Sequence, residues 1–191
     1  MAISKWTILL ASKSPRRRQL ASEMGFPMRI VDIDVDEVVP DGIEAHEIPL
    51  YLAKLKADGF SGQLADDELL VTADTVVVHG DEVLGKPHGP EDAFRMLRLL
   101  SGDRHQVYTG VCVKSNSKQN CFVERTDVFF RNLKDETITR YVDMGTCMDK
   151  AGAYGIQEWI GMVGVERIEG CYYNVVGLPV ARLYETIVHF Q

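Results

Sequence analysis

The chain has 191 residues, enough for one sizeable domain or for one domain with two lobes. Apolar residues make up 46% of it and charged residues 26%, the balance of an ordinary water-soluble globular protein. The net charge of −7 argues against general nucleic-acid binding, because affinity for a phosphate backbone needs a basic surface. There is no apolar run of membrane-spanning length and no signal-peptide pattern, so we expect a cytoplasmic protein without a membrane anchor.

The four cysteines are widely spaced and form no CxxC pair, which does not suit a zinc site. A bridge between Cys112 and Cys121 across a hairpin is conceivable. Because the chain carries no export signal, we expect buried free thiols instead.

The first half of the chain alternates short apolar runs with helical patterns. WTILLA (6–11) predicts a buried strand, and Ser14 followed by Pro15 predicts a helix start, with the helix ending near Gly25. MRIVDIDVDEV (28–38) alternates apolar and acidic residues and predicts a half-exposed strand with a carboxylate-lined face. Residues 46–58 have helical periodicity.

The second half predicts a mixed set of elements. ELLVTADTVVVHG (68–80) is typical of a strand that turns into EVLGKP, and PEDAFRMLRLLSG (90–102) of an amphipathic helix. A hairpin is predicted by QVYTGVCVKS and CFVERTDVFFRNL, and a short helix by KDETITRYVDMG. The glycine-rich stretch that follows predicts an irregular segment ending in a strand, and PVARLYETIVHF predicts a last helix. Together they predict an α/β fold with a mixed sheet in one compact unit, and two lobes flanking a cleft remain possible.

The segment SKSPRRRQL (12–20) places serines and arginines where a strand meets a helix start. Backbone N–H groups and the helix dipole favour an anion there, and forked guanidinium groups match phosphate oxygens. We therefore predict that Ser12, Ser14, Arg16 and Arg17 bind phosphate. The alternative is a solvated basic helix start.

Asp74 is a carboxylate inside a run that otherwise predicts burial. It must be paired, metal-bound or at the strand's mouth, which makes it a candidate general base, although it could equally cap the strand. Asp36 and Glu37 could join it around a hard divalent ion. Lys56 and Lys86 are the lysines that we would add to the site.

Seven segments in order, LASKSPRRRQL, LAKLKA, VTADTVVV, EVLGKP, LSGDRHQVYTGV, DKAGAYGIQ and GLPV, resemble the Maf family of nucleoside triphosphate pyrophosphatases. The resemblance covers nearly the whole chain, as a single Maf-like domain over residues 1–191. It implies an α/β fold similar to inosine triphosphatase, with a twisted mixed sheet flanked by helices, in two lobes around a central cleft. It also implies hydrolysis of a nucleoside triphosphate to the monophosphate and pyrophosphate, with a divalent metal (Mg, Mn or Co), in a homodimer.

The resemblance gives the candidate residues their roles. It implies that Asp74 acts as the catalytic base, and that Glu37 and Asp74 hold the metal. It further implies substrate contacts from Arg16, Thr75 and Gln157, which match the branch of the family that acts on dTTP and UTP. The catalytic set is Asp74, Lys56 and Lys86; the substrate-binding set is Ser12, Ser14, Arg16, Arg17, Thr75 and Gln157. Arg18 departs from the family pattern, and we expect it to face solvent.

Two alternatives stay open. One is a non-catalytic nucleotide-binding regulator linked to cell division. The other is a pyrophosphatase acting on 7-methyl-GTP, as in the sister branch of the family.

Overall fold

The computed structural model describes residues 5–190. Within this range the chain forms seven strands and seven α-helices. The strands are β1 (Thr7–Ala11), β2 (Met28–Ile30), β3 (Glu68–His79), β4 (Glu82–Leu84), β5 (Arg104–Lys114), β6 (Gln119–Phe130) and β7 (Val165–Glu169). The helices are α1 (Pro15–Glu23), α2 (Ile48–Asp58), α3 (Pro90–Leu100), α4 (Asp135–Asp143), α5 (Trp159–Gly164), α6 (Tyr172–Val176) and α7 (Val180–Val188), with a 3₁₀ turn at Ala151–Ala153.

The strands form a seven-stranded mixed sheet in the order β2-β1-β3-β5-β6-β7, with β4 paired to β3. Strand β1 runs parallel to both β2 and β3, with Leu9 opposite Arg29 and Leu70. Strands β4 and β7 are antiparallel to β3 and β6. Four residues connect β5 to its neighbour β6, a length that allows only an antiparallel hairpin. The predicted mixed α/β sheet is confirmed. None of the helices among the described residues is long and apolar enough to span a membrane.

The chain divides into two compact units. Among the described residues, unit 1 comprises 5–74, 109–124 and 177–190, and its core packs β1 and β3 against α2 through small and branched side chains. Gly110 lies so close to the start of α2 that an added Cβ would be 2.3 Å from the carbonyl carbon of Pro49. This close contact brings α2 directly onto the sheet.

Unit 2 comprises residues 75–108 and 125–176. Helices α3 and α4 cover its core with buried leucine, isoleucine and tyrosine side chains. Helices α5 and α6 are not predicted from the sequence, because each is a turn or two long and lacks a periodic pattern.

The acidic segment after β1 is only partly a strand. Strand β2 ends at Ile30, and residues 31–40 are irregular, although half-buried apolar and exposed acidic residues still alternate from Val31 to Asp36. The neighbouring strand β1 ends at Ala11, so the backbone beyond Val31 has no ladder partner on that side. The predicted strand over residues 28–38 is therefore wrong beyond its first three residues.

The expectation of free thiols is wrong for one pair. Cys112 on β5 and Cys121 on β6 are joined by a disulfide, with Cα atoms 4.2 Å apart. Cys147 and Cys171 are free, and Cys147 is buried.

Candidate functional site

The turn between β1 and α1 is held by its own side chains. The Ser14 hydroxyl caps α1 by accepting a hydrogen bond from the Arg17 N–H at 3.4 Å, and Pro15 follows at the first helical position. The Ser12 hydroxyl accepts from the Ser14 N–H at 3.2 Å. Arg18 donates from Nε to the Ser12 carbonyl at 2.8 Å, so it braces the turn from a half-buried position rather than simply facing solvent.

The first turn of α1 has an unusual charge. It contains three arginines and no acidic residue, although a helix N-terminus carries partial positive charge and ordinarily favours carboxylates. Repulsion of this kind is offset when an anion sits at the helix end. The electrostatics of this turn therefore favour an anion site, as the sequence predicts.

Arg17 is half-buried, and its guanidinium is bonded to the backbone. Its Nε donates to the Gly177 carbonyl at 2.8 Å and its Nη1 to the Ala73 carbonyl at 2.9 Å. Burial lowers the pKa of Arg17, and the negative charges of Asp74 and Glu37 oppose that shift while Arg16 adds to it. The guanidinium thus fixes the backbone immediately before Asp74, a role that the sequence does not reveal.

Lys56 joins the two predicted acidic residues of unit 1. Its Nζ lies 2.7 Å from Asp74 Oδ1 and 2.8 Å from Glu37 Oε2. The Lys56 and Asp74 side chains are 14% and 16% exposed, so this ion pair is shielded from solvent far more than a surface pair. The predicted meeting of Lys56, Asp74 and Glu37 is therefore seen in this unit.

Local packing explains why these three side chains meet. The Thr72 hydroxyl donates to the Ala53 carbonyl at 2.6 Å, which fixes β3 against α2 one turn before Lys56. Gly59 ends α2, and a Cβ there would lie 2.1 Å from Val35 Cγ1, so only glycine lets the irregular segment carrying Glu37 come this close.

The donors at this point suit a hard divalent cation only in part. Glu37 and Asp74 supply two carboxylates to one place, whereas no group of three His, Cys, Asp or Glu side chains within residues 5–190 could hold a metal ion. Magnesium is often held by one or two carboxylates together with substrate phosphate oxygens. Glu37 and Asp74 therefore fit a cation whose coordination shell also includes phosphate oxygens.

The remaining predicted residues belong to unit 2. Thr75 is half-buried on β3, Lys86 is exposed after β4, and Gln157 is exposed between the 3₁₀ turn and α5. Gly152 in that turn, at φ +68°, donates its N–H to the Gly85 carbonyl at 3.0 Å, so the Gln157 segment and the Lys86 segment are bonded to each other.

Sequence reasoning missed a charge cluster around a buried lysine near Gln157. Lys150 is 7% exposed, and its ammonium pairs with Glu158 Oε1 at 2.8 Å and Asp149 Oδ1 at 2.7 Å. The Tyr141 hydroxyl donates to Glu158 Oε2. The only sequence signal was an acid and a lysine in a glycine-rich stretch, which gave no reason to expect burial.

The sequence matches the family model "Maf-like protein" over residues 7–190. The chain belongs to the Maf family. That assignment confirms the resemblance that the seven ordered motifs indicated.

Curated Maf relatives match along almost their whole length. A protein named dTTP/UTP pyrophosphatase from Parabacteroides distasonis is 50% identical over 98% of this chain and 98% of its own. Proteins of the same name from Bacteroides fragilis and Flavobacterium johnsoniae are 49% and 45% identical, over 97% and 96% of this chain and 96% and 94% of theirs. A solved structure titled "The structure of the Staphylococcus aureus Ham1 protein" overlaps in part, with a TM-score of 0.45 and 14% identity over 65% of this chain and 71% of that chain.

Proposed function

We propose that this protein hydrolyses dTTP and UTP to the nucleoside monophosphate and pyrophosphate. The observation that carries the proposal is the Lys56 ammonium fixed between Asp74 and Glu37, whose charges also act on the half-buried Arg17. Support for the substrate comes from the Maf relatives, which are named dTTP/UTP pyrophosphatases.

The triphosphate binds at the start of α1 in this proposal. The Ser12 and Ser14 hydroxyls and the Arg16 guanidinium are the donors toward its oxygens, because the Arg17 and Arg18 N–H groups already bond to Ser14. Each hydroxyl accepts one bond within the turn and keeps its own proton to donate. Arg17 also belongs to this set, but two of its donors already bind backbone carbonyls, so its larger part is to hold Asp74 in place.

Asp74 orients and deprotonates the attacking water. Lys56 binds Oδ1 and leaves Oδ2 as the atom that accepts the hydrogen bond from the water. Positioning and fixed charges then supply most of the acceleration, because phosphoryl hydrolysis asks little covalent chemistry of the protein. Lys56 offsets negative charge that develops on the leaving pyrophosphate, and Lys86 keeps the same predicted role.

Glu37 and Asp74 would hold the divalent cation, whether Mg, Mn or Co. Bound there, it would supply charge neutralisation for the phosphate oxygens. Thr75 and Gln157 keep the roles implied by the family resemblance. For Gln157 the chemistry is direct, since its amide has both the donor and the acceptor needed for the O4 and N3–H edge of uracil or thymine.

Three further predictions accompany the function. The protein acts as one Maf-like domain over residues 1–191, forms a homodimer and works in the cytoplasm on free nucleotides, without nucleic acid or membrane partners. Light scattering tests the dimer.

The test of function is pyrophosphate release from dTTP, UTP, GTP and 7-methyl-GTP with Mg²⁺, Mn²⁺ or Co²⁺, and again after the metal is chelated. We expect turnover of the two pyrimidine nucleotides and its loss on chelation. Asp74→Asn should lower kcat by about 10²–10⁴-fold, the usual contribution of a positioned base. The matched control is Asp58→Asn, which removes another lysine-paired carboxylate of unit 1, 3.0 Å from Lys114, and should keep full activity.

Two results would contradict the proposal. Binding of UTP without product after hours of incubation would favour the non-catalytic regulator. Preferential turnover of 7-methyl-GTP would place the protein in the sister branch.

A further inference from the structure

Lys150 is the one lysine or arginine classed as buried among residues 5–190. Placing an ammonium group out of water is strongly unfavourable unless charged and polar partners replace its hydration. The buried Lys150 ammonium lies close in sequence to Gln157, the residue predicted to bind the base. The residues that pair with Lys150 indicate what its function is.

The partners of Lys150 form a connected network. The ammonium contacts Glu158 Oε1, Asp149 Oδ1 and the Thr146 carbonyl. The other oxygen of Glu158 accepts from the Tyr141 hydroxyl and, at 2.9 Å, from the Thr146 hydroxyl. Burial and the neighbouring Glu158 raise the pKa of Tyr141, so its phenol keeps the proton that it donates.

The network binds the chain on both sides of Gln157. Toward the N-terminus, the Gly155 N–H donates to the Tyr141 hydroxyl at 3.1 Å. Toward the C-terminus, Glu158 is the next residue and is held by Lys150 and Tyr141. Residues 155–158 are thus tied to α4 through a single phenol.

The Gln157 amide itself lies against this network. A Cβ built on Gly155 would be 2.8 Å from Gln157 Nε2, 2.9 Å from Lys150 Cε and 3.0 Å from Glu158 Cδ. Three side chains therefore crowd around one point, and glycine is what lets them do so. The Gln157 side chain is otherwise exposed, so this crowding restricts its amide on the side that faces Gly155.

We propose that Tyr141, Lys150 and Glu158 are positioning residues that set the orientation of the Gln157 amide and thereby the choice of base. This inference rests on the proposed function for its substrate. The three residues act through Gln157, so their removal affects the recognition of the base and leaves the handling of phosphate intact.

The test is binding, measured by calorimetry with Asp74 intact and with the non-hydrolysable α,β-imido forms of UTP and GTP in place of the nucleotides, so that it does not depend on turnover. Tyr141→Phe removes one hydroxyl and keeps the ring in the core. We expect it to weaken UTP binding about tenfold and to leave the binding of inorganic tripolyphosphate unchanged. The ratio of the affinities for UTP and GTP should therefore fall. Lys150→Met should act in the same direction.

Matched controls separate positioning from general loosening. Tyr154→Phe removes another buried phenol, whose hydroxyl bonds His105 instead, and Lys114→Met removes a lysine that pairs with one carboxylate and one carbonyl in unit 1. Both should leave the UTP to GTP ratio unchanged. In a Gln157→Ala background, Tyr141→Phe should have no further effect, because its action passes through that amide.

An equal loss of UTP, GTP and tripolyphosphate binding in Tyr141→Phe would overturn the positioning role. The same follows if the losses of UTP binding free energy from Tyr141→Phe and Gln157→Ala are fully additive. Absence of nucleotide binding by any variant would overturn both this inference and the proposed function. If UTP binding shows the expected pattern but the unsubstituted protein releases no pyrophosphate, only the proposed hydrolysis fails.

Discussion

His105 is a buried imidazole in unit 2. We expect its protonation at acidic pH to destabilise the folded protein. Its Nε2 lies 2.7 Å from the Tyr154 hydroxyl, and its ring packs edge-on against Phe130 and Tyr154. Its Nδ1 has no hydrogen-bond partner among the described residues. A proton added to that nitrogen would be a buried charge without an acceptor.

The size of the effect follows from the pKa. Burial, assisted by the charge of His79, lowers the pKa of His105 from 6.5 to about 3, against the opposing charges of Asp103 and Asp127. Below pH 6.5 the unfolded chain therefore binds a proton that the folded protein does not, and stability falls as the pH is lowered from 6.5 toward 3. For these two pKa values the loss between pH 7.5 and pH 5 is about 2 kcal/mol.

Urea unfolding of the wild type and of His105→Gln at pH 7.5 and pH 5 measures this loss. Glutamine does not titrate and can still meet the Tyr154 hydroxyl, so the variant should lose less stability on acidification, by about 2 kcal/mol. His189→Gln, which replaces an exposed imidazole bonded to the Glu185 carbonyl, is the control and should follow the wild type. Equal acid sensitivity of the wild type and His105→Gln would refute the reasoning.

Two more substitutions or treatments test the described contacts. Arg17→Lys keeps the charge but cannot reach both the Gly177 and Ala73 carbonyls, so kcat for UTP should fall about 10- to 100-fold. Arg182→Lys alters another guanidinium of unit 1, whose Nη1 bonds the Val123 carbonyl and Glu124, and should not change kcat. The denatured, unreduced protein should show two thiols and the reduced protein four, and reduction should lower the free energy of unfolding by about 2–3 kcal/mol because it opens a short covalent loop. Four thiols before reduction, or an unaltered kcat in Arg17→Lys, would contradict these expectations.

The elements that can be predicted from the sequence are those whose signals are local. Ser14 and Pro15 mark the start of α1 because a cap and a preset φ act within one turn, and the structure has both in place. The valine-rich β3 and the amphipathic α3 are likewise readable from composition and periodicity. The meeting of Lys56 with Asp74 is different, since residue type suggested placing these residues 18 positions apart in one site, and the family resemblance supported it, but no local pattern did.

What the sequence could not show depends on neighbours in space. The acidic alternation after Met28 satisfies the pattern of a strand, yet the strand stops where β1 has ended and no backbone remains to pair with. Tyr141 and Glu158 lie 17 residues apart on different elements, so no spacing rule links them. Arg17 has the residue type of a phosphate ligand, and only the folded backbone reveals that its guanidinium holds two carbonyls.

The charges gathered in unit 1 bear on how the proposed reaction depends on metal. Arg16 and Arg17 lie close enough to interact electrostatically, and Lys56 is bound to both Glu37 and Asp74, so this group has one more cation than anions. A nucleoside triphosphate brings about four negative charges near neutral pH, far more than that excess offsets. Placing the phosphates beside two carboxylates would be repulsive unless a divalent cation lay between them, which is the ligand that Glu37 and Asp74 suit. The charge distribution therefore argues that the cation is required for productive binding of the substrate, and that Lys56 serves first to keep the two carboxylates together until the cation and substrate arrive.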